Sequence, residues 1–215
     1  MSMDTWLTYT LAAWVLLVVP GPTILLVVGY AMTEGRRAGL ATVLGVVLGD
    51  VTALTLSMAG LGVILSASAM VFGVLKWIGA LYLIALGVRM WRQGGRSLQD
   101  DASSTPQSRP PSRRKMLGHA YLVTAFNPKG IVFFLAFLPQ FFRSDAPLLP
   151  QMILLGGTFL LLALFNITAY ALLAGSVHAF LQRRKFRRRI FRTGGGLLVL
   201  AGLLTALTQV PKKGI

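Results

Sequence analysis

The sequence predicts an all-α polytopic membrane protein, six transmembrane helices arranged as two inverted three-helix halves. Three observations lead there. Of 215 residues, 55% are hydrophobic and 13% charged, with a mean hydropathy of +0.70, whereas a water-soluble surface needs far more polar residues. The apolar runs are about 20 residues long, the length a helix needs to cross hydrocarbon and twice that of a barrel strand. The basic residues gather in alternate connections, the pattern that fixes orientation in a bilayer.

The first apolar segment covers approximately 6–30. It reads as a spanning helix, not a cleaved leader, because Asp4 stands where a basic n-region would be and the run is too long for an h-region. The remaining segments are approximately 38–64, 70–90, 117–138, 150–175 and 194–210. Connections one, three and five carry two, seven and seven basic residues, 16 of the 21 in the chain. The positive-inside rule therefore puts these loops in the cytoplasm and both termini outside.

The third connection contains "GGRSLQDDASSTPQSRPPSRR", too rich in Ser, Pro, Gly and charge to bury a core. It reads as a cytoplasmic linker, 93–115, within a single membrane domain, between a first half at 1–92 and a second at 116–215. Three is odd, so the second half lies upside down relative to the first, as in many secondary transporters. The net charge of +15 needs no nucleic acid to explain it, since loop orientation suffices. "RRKFRRR" offers itself to anionic lipid headgroups as well. There is no cysteine, so disulfides and thiolate metal sites are excluded.

The first segment is interrupted halfway by Pro20-Gly21-Pro22. Neither proline has an N–H, so the carbonyls of Leu16 and Val18 lose their helical partners, and Val19 and Gly21 are pushed from helical angles. Open backbone groups are tolerable at membrane depth only beside protein or a water-filled cavity. The first segment of the second half is interrupted at comparable depth by Asn127-Pro128-Lys129-Gly130. Pro128 frees the carbonyl of Thr124, and the Asn127 amide is available to the loosened backbone. Two interrupted helices at corresponding places in inverted halves point to a binding site at the midplane.

Asp50, about 12 residues into the second segment, is an intramembrane ionisable group and so a functional candidate; Lys129 is its evident counter-charge. Asn166 in the fifth segment is a weaker candidate, out of register with Asp50. The helix after Pro22 presents Thr23 near its new N-terminus, where exposed N–H groups and the positive dipole end favour an anion. Gly45 and Gly49 form a GxxxG that reads as helix packing, as do Gly79 and Gly87. His119 and His178 read as interfacial. Ser112-Arg113-Arg114-Lys115 matches SxxK by chance within the linker. No nucleophile–base pair, metal-ligand spacing or phosphate-binding glycine loop is visible, so neither a cofactor nor enzymatic activity is expected. An ion or metal exporter of similar build, a channel and an intramembrane enzyme are the alternatives.

The chain resembles the LysE/RhtB family of bacterial amino-acid exporters along nearly its whole length. The resemblance rests on Pro20-Gly21-Pro22, "EGRRAGLATVLGVVLGD" ending at Asp50, "LKWIGALYLIALGVRMWR", and Asn127-Pro128-Lys129 with "FFLAFLPQF". It implies export of amino acids or close derivatives from the cytoplasm across the bacterial inner membrane, coupled to protons and not to ATP. With Asp50 the only acid at depth, a neutral substrate such as leucine, threonine or homoserine is expected. The substrate-binding set would be Pro20, Gly21, Pro22, Thr23, Asp50, Asn127, Pro128, Lys129 and Asn166. Small-residue helix faces make a homodimer plausible.

Overall fold

The computed structural model describes residues 1–67, 69–93, 111–143, 145–177 and 183–207. His178, most of the 93–115 linker, Lys212 and Lys213 lie outside the described residues. Among those residues the chain is helical, with no strand. The helices are α1 (Met3–Val18), α2 (Pro22–Thr33), α3 (Arg36–Ala67), α4 (Ala69–Gln93), α5 (Arg113–Ala125), α6 (Pro128–Val132), α7 (Leu148–Leu172) and α8 (Arg184–Leu207). Between α6 and α7 come a π-helical segment, Phe133–Phe137, and a 3-10 turn, Leu138–Phe141.

These elements make six crossing-length segments. The stretches Arg36–Gly60, Arg113–Phe141, Leu148–Leu172 and Arg188–Leu207 are each long and apolar enough to span. The pair α1 and α2 qualifies together, bent by 51° at its break, and α4 adds a helix of 25 residues, some 37 Å at ~1.5 Å per residue. The fourth segment starts earlier than the sequence predicts. Ser112 caps α5, its hydroxyl accepting from the Lys115 N–H at 3.4 Å, so Arg113, Arg114 and Lys115 are helical and not linker.

Helices α3, α5 and α8 all begin with arginines, at the end where the helix dipole disfavours positive charge by ~0.3–1 kcal/mol per residue. Helix stability cannot account for this. Anchoring at a membrane surface, as the positive-inside rule expects of these connections, does.

Apolar side chains cover the outside of the molecule as well as filling its core. On α7, Leu161 and Phe165 are 70% and 67% exposed, while the adjacent Asn166 is 5% exposed. Thr23, Thr42, Asp50, Ser57, Thr124, Gln151 and Thr205 are likewise buried. A lipid solvent demands this arrangement, since apolar side chains cost nothing outside and polar groups need partners within. The one ion pair among the described residues, Arg143–Asp145, sits in the connection before α7. There the Arg143 hydrogen bond holds the Asp145 carboxyl below the usual carboxylate range.

The helices pair reciprocally. α3 lies along α5, and both α1 and α2 lie against α7, so the second spanning helix of each half packs on the broken helix of the other; α4 lies along α8. Glycines allow the close approach, as expected for the GxxxG. A β-carbon on Gly49 would stand 2.7 Å from the Thr124 β-carbon and 2.8 Å from the Tyr121 carbonyl oxygen. Gly79 meets Ala136 of the π-helical segment, and Gly87 and Gly195 face each other backbone to backbone between α4 and α8. Gly35, with φ of 86°, makes the turn from α2 into α3 that a β-carbon would strain.

Gly195→Val is expected to wedge α4 from α8, its new β-carbon 2.5 Å from the Gly87 carbonyl oxygen. The cost should be about 1–3 kcal/mol, read as a lower midpoint of thermal unfolding in detergent. Gly29→Ala, with nothing within 4 Å of the added methyl, should hold or raise that midpoint.

Candidate functional site

The first break begins where α1 ends. The Val19 N–H still reaches the Val15 carbonyl at 3.3 Å, but Pro20 has no N–H and Gly21 is extended, at φ −126° and ψ −174°. The chain resumes with Pro22 at the first helical position, where a missing N–H costs nothing. Three successive carbonyls at the end of α1 are then met by side chains from the second half. Asn166 donates its amide to the Leu17 carbonyl at 3.0 Å, the Tyr170 hydroxyl to Val18 at 2.7 Å, and the Lys129 ammonium to Val19 at 2.8 Å.

The second break is stitched partly to itself and partly to the first half. The Asn127 backbone N–H takes up the Thr124 carbonyl at 3.0 Å, so the group expected to be freed by Pro128 is paired by a tighter turn. Asn127 caps α6: its side-chain oxygen accepts from the Lys129 N–H at 3.1 Å, and its amide donates to the Thr23 hydroxyl at 3.2 Å. Thr23 also lies 3.3 Å from the Thr124 hydroxyl. The two breaks, about a hundred residues apart in sequence, are hydrogen-bonded to each other.

Between them lies a cavity of about 60 Å³. Six of the nine sequence-predicted site residues line it: Gly21, Thr23, Asp50, Asn127, Lys129 and Asn166. The other three, Pro20, Pro22 and Pro128, shape the backbone around it. Leu16, Leu17, Ile24, Val46, Gly130, Phe159, Ala163 and Ile167 make up the remaining wall. The cavity thus holds one acid, one base and two neutral amides against an apolar surround. The Gly21 N-cap supplies no side-chain acceptor, so the first N–H groups of α2 open beside the cavity.

Asp50 and its expected counter-charge Lys129 face the same cavity, without a salt bridge between them among the described residues. The ammonium is held by the Val19 carbonyl, because the break in α1 presents an acceptor nearer than the carboxylate. Asn166, the weaker candidate because of its register, stands on the same cavity as Asp50. Tyr170 was missed. It lies four residues after Asn166, hence on the same helix face, and a count of the open carbonyls would have called for a third donor there. Among the described residues no three His, Asp or Glu side chains cluster to hold a metal.

The LysE type translocator family model matches residues 14–209. The homoserine/homoserine lactone efflux protein of Salmonella typhimurium is 32% identical over 206 residues, 96% of this chain and 98% of that protein. The leucine efflux protein of Klebsiella pneumoniae is 30% identical, covering 95% of each. An uncharacterized membrane protein of Vibrio cholerae is 29% identical over 97% of this chain and 100% of its own. No solved structure matches. The chain belongs to the LysE type translocators.

Tyr170→Phe is expected to strand the Val18 carbonyl at membrane depth and lower stability by about 1–3 kcal/mol, measured by unfolding in mixed micelles. Leu161→Ile, on the lipid-facing side of the same helix, should leave the transition where it is.

Proposed function

On the ground of that family membership, we propose that this protein exports neutral amino acids or close derivatives, with leucine, threonine and homoserine the leading candidates. Export runs from the bacterial cytoplasm across the inner membrane, with both termini outside, by alternating access driven by the proton gradient. The observation that carries this reading is the meeting of two interrupted helices, one from each half, at a single cavity whose only charges are Asp50 and Lys129. The names of the Salmonella and Klebsiella relatives, which concern homoserine and leucine efflux, support the substrate class.

A zwitterion matches that charge arrangement. Lys129, the N-terminus of α2 and Asn127 bind the carboxylate, where ammonium, helix dipole and amide add. Asp50 accepts the α-ammonium group or the coupling proton, and the two exclude each other, which makes the exchange obligatory. The apolar wall of Leu16, Ile24, Val46, Phe159 and Ile167 takes the side chain, and it offers no second carboxylate to a cationic one.

Some 60 Å³ admits a few waters and is too small for leucine, threonine or homoserine, so binding requires the halves to part. The reciprocal pairing of α3 with α5 and of α7 with α1 and α2 supports an inverted repeat, and rocking of one half on the other would widen the cavity toward alternate sides.

Purified protein in proteoliposomes is expected to exchange labelled leucine, threonine or homoserine and to ignore lysine. Asp50→Asn, shown to be folded and inserted, should lower proton-driven efflux at least tenfold, a loss of ~1.4 kcal/mol or more in the coupled step. Wild-type rates in that variant would remove Asp50 from the mechanism, and transport of no amino acid in the panel would remove the export reading.

A further inference from the structure

The cavity is sealed by two unlike layers. Toward the end where α2 leaves it, the seal is aliphatic, built from residues such as Val27, Val28 and Ala171. Toward the end where the chain begins, it is aromatic. Phe134 and Phe159 meet edge to face at 4.7 Å, Phe133 and Phe137 stack at 5.2 Å, and Tyr9 lies 6.1 Å from Phe133 and 5.2 Å from Phe141. Phe159 belongs to both the cavity wall and this layer.

Three features mark the aromatic layer as the movable seal. Phe133, Phe134 and Phe137 sit on the π-helical segment Phe133–Phe137, followed at once by the 3-10 turn that carries Phe141; a wide turn beside a tight one is a frequent hinge at functional sites. Phe133, Phe137 and Phe141 also border an apolar groove of about 480 Å³ between α1 and α8, open to the outside at Leu11, Leu200 and Leu204, which gives the rings somewhere to go. Thirdly, Tyr9 is fully buried, and its hydroxyl is the only buried side-chain polar atom among the described residues without a hydrogen-bond partner. An unpaired buried hydroxyl penalises whichever state buries it.

We propose that this aromatic layer is the gate between the cavity and the side where the chain begins, and that the Tyr9 hydroxyl sets its balance by destabilising the closed state. The hydroxyl gains a partner only when the layer parts and water or substrate reaches it, so the gate is held shut by ring packing against a standing cost. The inference rests on the alternating-access reading but is tested without a substrate.

The chain has no cysteine, so a single Ala163→Cys in the cavity wall can report access by an impermeant maleimide applied to either face of oriented vesicles. Tyr9→Phe, which removes the penalty, is expected to slow labelling from the face where the chain begins by roughly tenfold, the scale of one unpaired hydroxyl. Phe134→Leu should speed labelling from that face alone. Unchanged or faster labelling in Tyr9→Phe would overturn the proposal, as would a Phe134→Leu effect seen equally from both faces. The expected labelling shifts in a protein that moves no amino acid would uphold the gate and sink the export reading. Export without them would do the reverse.

Discussion

Everything in this fold answers to one constraint: a backbone group broken out of its helix at membrane depth must find another partner. Pro20, Gly21 and Pro22 open the end of α1, and its last carbonyls are received by Lys129, Asn166 and Tyr170. In return, Asn127 of the second break donates to Thr23 of the first. Neither interruption is complete without the other half. The cavity exists because two such ends must lie side by side, and its polar lining is largely the set of groups that keep them paired.

The same constraint explains why charge is so scarce and so placed. Most basic residues stand at the starts of α3, α5 and α8, where the membrane surface is, and one acid and one base reach the cavity. Lys129 spends one of its donors on the backbone, which fixes the ammonium and leaves its remaining protons for a ligand. Asp50 accepts from no described residue. That asymmetry, a base already engaged and an acid with no described donor, separates the two charges of the cavity.

Much of this was legible in the sequence, and the rest was hidden for a definite reason. Apolar run length gave the crossing segments, and proline chemistry gave both breaks and the restart after Pro22, because these depend on neighbouring residues only. The GxxxG before Asp50 was rightly assigned to packing, since small residues at that spacing serve one purpose well. Most of what escaped depended on the partner half. Lys129 was expected as the counter-charge of Asp50, but its hydrogen bond to the opened Val19 carbonyl was not. Thr124 was expected to be open, though a tighter turn closes it. Tyr170 carries no mark of its role in the sequence until the carbonyl it serves is in place. The π-helical turn carrying Phe133 has no sequence signature of its own; it follows from fitting bulky rings against α4 where Gly79 meets Ala136.

The reciprocal stitching has a consequence for biogenesis. A ribosome delivers α1 and α2 well before Lys129, Asn166 and Tyr170 exist, so the nascent first half enters the bilayer with its kink unprotected. Until the later residues are threaded, those carbonyls must be hydrated or sheltered by the insertion machinery. Synthesis therefore passes through an interval in which the amino-terminal triplet is a poor membrane resident, vulnerable to quality-control proteases, and the arrival of α7 ends it.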